Sequence, residues 1–121
     1  MSINKTLNYL LARQGDTALG FGATLTTASS YLNGPGGTAG DGFPMPRAGR
    51  VTRLDVWDGA VPLVGTDNVS FIAGDRLSVY ATAGAGVFDI SLRVNGVDTT
   101  LVALGAAMNA TLYAVIDVKF E

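Results

Sequence analysis

Between Val87 and Val94 apolar and polar residues alternate without a break. Phe88, Ile90, Leu92 and Val94 fall on one side, and Asp89, Ser91 and Arg93 on the other. A period of two is what a half-covered strand produces, because successive side chains leave a pleated backbone on opposite sides. Asn95-Gly96 follows directly. That pair tolerates the positive φ values of a type I′ turn, so the spacing predicts a two-residue hairpin with a return strand over Val97 to Leu104. Thr111 to Phe120 alternates as well, with Leu112, Ala114, Ile116, Val118 and Phe120 facing one way. Its second face carries Tyr113 and Val115 before Asp117 and Lys119, which predicts a strand covered on both sides at its start.

Upstream, residues 50–57 (RVTRLDVW), 67–72 (DNVSFI) and 76–82 (RLSVYAT) read as further strands, with turns at Gly74-Asp75 and Gly84-Ala85-Gly86. Residues 18–25 and 29–32 are weaker strand signals, the first loosened by Gly20 and Gly22. Strands recurring about every 10–15 residues with turn signals between them are the signature of a sandwich or barrel. The expected fold class is therefore all-β, an antiparallel β-sandwich over residues 14–121 with a Gly-rich loop at 33–42 (NGPGGTAGDG). Residues 1–13 form a short N-terminal arm that reads two ways. Ile3, Leu7, Leu10 and Leu11 fit one helical face behind Ser2 as N-cap, whereas Ile3, Leu7, Tyr9 and Leu11 fit one side of a strand. In either form an apolar arm ahead of a domain docks on something, which makes Ile3, Leu7, Tyr9 and Leu11 candidate contacts to its own sheet, a neighbouring subunit or a partner.

Composition sharpens this picture. The 121 residues suffice for one domain. Two Lys, one Gln and one Glu stand against 12 Val and 12 Thr, which favours strands over helices. Charged residues make up 15 % of the chain, where about 25 % is usual. So thin a charged covering on so small a domain implies that part of its surface meets another chain. With no Cys and no His, disulfide frameworks, thiolate nucleophiles, Cys/His zinc sites and Ser-His-Asp chemistry are all excluded. A net charge of −2 argues against a nucleic-acid partner. The N-terminus lacks the charged-then-apolar pattern of a signal peptide, and the uncharged run 101–116 is too short and polar to span a bilayer, so no membrane partner is expected.

Motifs for chemistry are few. Gly34-Pro35-Gly36-Gly37-Thr38-Ala39 fits a dinucleotide-binding pattern formally, but Gly40-Asp41-Gly42-Phe43-Pro44 behind it cannot start the required helix, so it reads as a loop. Asp41, Asp58, Asp67, Asp75 and Asp98 sit beside Gly, Asn or Thr, where turns place Asp to bond the local backbone. No two carboxylates carry the spacing of a hydrolase pair or a calcium loop, so no catalytic residue, metal or cofactor is assigned and the protein is not expected to be an enzyme. Three N-x-[ST] sequons read as chance in a Thr-rich chain. Arg47, Arg50 and Arg53 are read as inter-subunit ion-pair partners, with Arg53 on the opposite face of its strand from Arg50. Trp57, at a strand end before Asp58-Gly59, is the best single surface-contact residue, with Tyr31 as a second.

Residues 44–51 (PMPRAGRV), followed by Leu54 and Val56, resemble the "P-x-x-G-x-V-x-x-L-x-V" opening of trimeric jelly-roll domains. These domains occur in bacteriophage fibres and capsid decoration proteins and in collagen-like bacterial surface proteins of the C1q/TNF type. Residues 69–79 (VSFIAGDRLSV) resemble their "v-x-F-x-A-G-D-x-L-S-V" segment, and Val94-Asn95-Gly96 with Thr99-Thr100-Leu101 resembles their "V-N-G-x-x-T-x-L" hairpin. The resemblance implies a jelly-roll-like sandwich and a homotrimer. It implies a virion structural protein that decorates and stabilises a capsid, bound to the major capsid protein or another virion protein. Such a protein is made in the host cytoplasm and resides on the capsid surface. The other expectations are a receptor- or carbohydrate-binding tip domain of a phage tail fibre, with exposed aromatics near Trp57 and Tyr31, and a subunit that itself assembles into a shell or tube.

Overall fold

The alternating runs become strands almost wherever they occur. The computed structural model describes residues 16–121; the expected arm at 1–13, with Ile3, Leu7, Tyr9 and Leu11, lies outside the described residues. In chain order the strands are β1 (Asp16–Leu25), β2 (Ser30–Tyr31), β3 (Phe43–Pro44), β4 (Gly49–Trp57), β5 (Pro62–Phe71), β6 (Arg76–Ala83), β7 (Val87–Val94), β8 (Val97–Ala107) and β9 (Ala110–Phe120). A three-residue 3-10 turn at Pro35–Gly37 is the one helical element among the described residues.

Two antiparallel sheets face each other. The first runs β1-β9-β4-β5; the second runs β2-β6-β7-β8, with β3 pairing the part of the β6 edge that β2 leaves free. The sandwich expected from the sequence is therefore present. Its strand order is not the paired Greek keys of a jelly roll. Instead, β4-β5 and β6-β7-β8 lie side by side as successive hairpins, and β9 inserts between β1 and β4. Short turns impose this: two residues, Asn95-Gly96, join β7 to β8, and Asn95 takes φ 53° while Gly96 takes φ 79°. Both lie in the left-handed region that a type I′ turn requires.

Between the sheets lies one apolar core. Leu112, Ala114, Ile116 and Val118 of β9 and Leu54 and Val56 of β4 face Leu77 and Val79 of β6 and Phe88, Ile90 and Leu92 of β7, all buried. Fully burying each of the larger side chains is worth about 1.5–3 kcal/mol, which makes this layer the main source of stability.

Both sides of the sandwich are closed. At one side Gly22 and Asn33 exchange backbone hydrogen bonds of 2.8 and 3.0 Å, tying β1 to the segment after β2. At the other, the Thr100 hydroxyl of β8 donates to the Asp67 carboxylate of β5. Gly65 of β5 lies so near the Val102 carbonyl that a Cβ there would collide with it. These ties hold the two sheets together along their sides, and each sheet also presents a broad outer face.

Candidate functional site

On the outer face of the first sheet the register brings together residues far apart in sequence. Trp57 of β4 sits opposite Tyr113 of β9 on one side and Pro62 of β5 on the other. In the next row Asp55 separates Val115 from Val64. Trp57 is 46 % exposed, Tyr113 58 %, Val64 49 % and Val115 39 %. On the β1 side Gly22 and Gly20 pair with Tyr113 and Val115, so no large side chain shelters them. Among the described residues, the expectation that β9 is covered on both sides at its start is thus not met. Its outer half stands open, because β1 offers glycines there.

Toward the other end of the same face the residues are charged. Arg53 donates to the Asp55 carboxylate at 2.9 and 3.0 Å, an ion pair within one strand and one subunit rather than between subunits. Asp117 and Lys119 of β9 lie beside Arg53 and Arg50. Arg50 and Arg53 share this face, contrary to the simple alternation that would oppose them. A bulge between Val51 and Arg53 shifts the register against both neighbours and lets Val51 and Leu54 both point inward. Arg47 lies off the strand with its guanidinium 5.1 Å from the Phe120 ring centre. The first sheet therefore presents an apolar half and a charged half, the composition of an interface core with a polar rim.

Turn aspartates hold the ends of this face in place. The buried Asp58 accepts from the Ala60 and Val61 amides at 2.9 Å through Oδ1, and from the Ala107 amide at 3.1 Å through Oδ2. The Val61 and Ala60 amides, and then that of Ala107, hold its carboxyl below the usual value of 3.8 against the opposing effect of burial. Asp75 accepts from the Ile72 amide and from the Asn95 side chain, while Asn95 Oδ1 accepts from the Arg76 amide. The Gly74-Asp75 and Asn95-Gly96 turns, read separately in the sequence, are thereby clasped together. Asp41 and Asp67 likewise accept from the nearby Ala39 and Asn68 amides. Asp98 differs: it bonds no local amide but accepts from Arg93 at 2.7 Å and from Ser91 at 3.1 Å across the hairpin.

The outer face of the second sheet is polar around Arg93 and apolar at Leu104. Arg93 lies 3.8 Å from the Tyr80 ring centre and donates to the Tyr31 hydroxyl at 2.7 Å, while Tyr31 and Tyr80 meet edge-on at 4.7 Å. Tyr31 and Trp57 thus lie on different sheets and do not form one platform. Next to this cluster is an open groove of about 360 Å³, lined by Thr82, Asp89, Ser91, Asp98, Val102 and Leu104 among others. The sequence singled out Trp57 and Tyr31, but neither the apolar band nor the groove. Tyr113 and Val115 carried a signal as apolar residues on a second strand face. Asp89 and Leu104 become neighbours only through the β7–β8 register. The formal glycine motif leads through the 3-10 turn and a bend into β3, with no helix behind it. Compared with family models, curated proteins and solved structures, the chain finds no match.

Proposed function

We propose that the protein is a structural component of a virion, a capsid decoration protein that forms a homotrimer and stabilises the shell to which it binds. It performs no catalysis and needs no cofactor. The observation that supports this reading is the group of exposed apolar residues Trp57, Pro62, Val64, Tyr113 and Val115 ranged around Asp55 on the outer face of the first sheet. Exposed apolar residues scattered singly are ordinary, but a contiguous band rimmed by charges is the usual mark of a protein–protein contact. Trp57 and Tyr113 are paired neighbours in the row at the end of β4, and large aromatics are the side chains that most often dominate binding. The virion assignment comes from the resemblance of residues 44–56, 69–79 and 94–101 to trimeric phage domains.

Light scattering on the purified chain tests the reading. The expected mass is about 37 kDa, three times the 12.4 kDa of one chain. Trp57→Asp combined with Tyr113→Asp should return the mass to 12.4 kDa with the β-sheet circular dichroism spectrum retained, since both side chains point away from the core. A wild-type mass of 12.4 kDa at tens of micromolar overturns the assembly.

A further inference from the structure

We infer that Asn95 is a site of spontaneous deamidation, held back in the folded chain by Asp75. This inference does not rest on the proposed virion role and concerns one end of the sandwich. Asparagine followed by glycine is the pair most prone to the reaction, because no side chain on the second residue hinders its amide nitrogen. The chain holds two such pairs, Asn33-Gly34 and Asn95-Gly96. In the first step the Gly nitrogen gives up its proton and forms a bond to the Asn Cγ. The Cγ–Nδ2 bond breaks, and Nδ2 leaves with that proton as ammonia. Water then opens the resulting succinimide ring at either carbonyl, leaving aspartate or, with the backbone rerouted through the side chain, isoaspartate.

The fold treats the two pairs differently. Gly34 donates its amide to the Thr38 carbonyl at 2.5 Å, and a Cβ on Gly34 would lie 2.5 Å from an atom of the Phe21 ring. Asn33 also exchanges backbone hydrogen bonds with Gly22. At this pair the nucleophile is occupied and its backbone has no room to turn. Gly96 is exposed, and a Cβ there would meet nothing within 4 Å. Its amide has no hydrogen-bond partner among the described residues, so it is open to water and to base. What restrains Asn95 is its own side chain. Nδ2 donates to Asp75 Oδ1 at 3.0 Å, and Oδ1 accepts from the Arg76 amide at 2.9 Å. Both partners lie where the β5–β6 turn enters β6, so the carboxamide is anchored on the neighbouring turn and ring closure must pull it free. The bond to the Asp75 carboxylate is charge-assisted, which makes it the stronger restraint.

The products undo the clasp between the turns. A carboxylate at position 95 has no proton to donate to Asp75 and sets two negative charges against each other. Isoaspartate adds an atom to the backbone path, which a two-residue type I′ turn cannot absorb. Deamidation thus frees the β7–β8 hairpin from the β5–β6 turn without any enzyme.

The test is peptide mapping by mass spectrometry after incubation of the full chain in mildly alkaline buffer, both folded and in urea. In urea the two pairs should react at similar rates. In the folded chain Asn95 should react about tenfold or more slowly than in urea, and Asn33 should stay intact over the same period. Asp75→Asn keeps an oxygen for the Ile72 amide but sets its NH₂ against Asn95 Nδ2. It should speed the reaction at Asn95 by about tenfold and leave Asn33 unchanged. Because Asn33 lies on the opposite side of the chain's ties to β1, its rate reports any general loosening of the fold. Any one of three results overturns the inference: Asn33 reacting before Asn95 in the folded chain, Asn95 reacting as fast folded as in urea, or a rate at Asn95 in Asp75→Asn that is unchanged or rises only in step with Asn33.

Discussion

At the scale of the single residue, Asp58 joins the most structure per atom. Its carboxylate takes three backbone amides, two from the turn it begins and one from the end of β8. Removing it leaves three amides without that partner, but Ala60 and Val61 are exposed and their amides can turn to water, so the loss is that of the turn cap and of its tie to Ala107. Asp58→Ala should therefore lower stability by about 1–3 kcal/mol in urea unfolding. Asp58→Asn should fall between the two, because its one oxygen can still cap Ala60 and Val61 while its NH₂ is set against the Ala107 amide. The pH dependence follows from the same bonds. Asp41, Asp58, Asp67, Asp75 and Asp98 all have carboxyls held below 3.8 by the hydrogen bonds they accept. A carboxyl depressed by folding contributes stability that is complete above its unfolded value and is lost as the pH falls through the folded one. With no His in the chain, no side chain is expected to titrate between pH 5 and 8. The thermal midpoint should thus stay level from pH 8 to 5 and fall below about pH 4, and calorimetry across that range checks it. A midpoint rising on acidification would contradict the assigned hydrogen bonds.

At the scale of the element, the closure of β5 against β8 depends on a residue with no side chain. A Cβ at Gly65 would meet backbone atoms of Val102, which cannot rotate away as a side chain can. Gly65→Ala should force the strands apart at a cost of about 1–3 kcal/mol, lowering the thermal midpoint by roughly 5–15 °C. Gly20→Ala on β1, where a Cβ meets nothing within 4 Å, should leave it nearly unchanged. Unequal shifts in differential scanning calorimetry would separate close approach from strand propensity. The contrast also marks what the sequence could disclose. Phe88, Ile90 and Leu92 alternate on a regular strand, so β7 was legible at the residues it occupies, and Asn95-Gly96 fixed the turn beyond it. β4 was found but its facing was not: Val51, Leu54 and Val56 change parity at Thr52, and that break is the only local sign of the bulge. The first half of β5 was missed because Pro62 and Gly65 argue against a strand. Gly65 is required by Val102, a neighbour 37 positions away that no local pattern reveals. The two faces follow the same rule. Trp57 was conspicuous alone, but its band with Tyr113, Pro62 and Val64 exists only once β9 and β5 are known to flank β4.

At the scale of the whole molecule, the two sheets expose faces of opposite character, and the N-terminal residues precede β1 at the edge of the first. Among the described residues the buried apolar side chains already link both sheets, from Phe21 of β1 to Val118 of β9. Removing residues 1–13 should therefore leave the fold intact, with a thermal midpoint moved by less than about 4 °C, the equivalent of under 1 kcal/mol in a domain near this size. If the apolar band holds the copies together, the truncated chain should still scatter light as a trimer, and the loss should appear instead in attachment to a shell through Ile3, Leu7, Tyr9 and Leu11. If truncation instead yields monomers with the fold preserved, the arm and not the Trp57–Tyr113 band joins the subunits. The comparison of that truncation with the double variant Trp57→Asp, Tyr113→Asp assigns self-association to one surface. A face cannot be the contact if its disruption leaves the trimer mass unchanged while the deletion of a remote segment abolishes it.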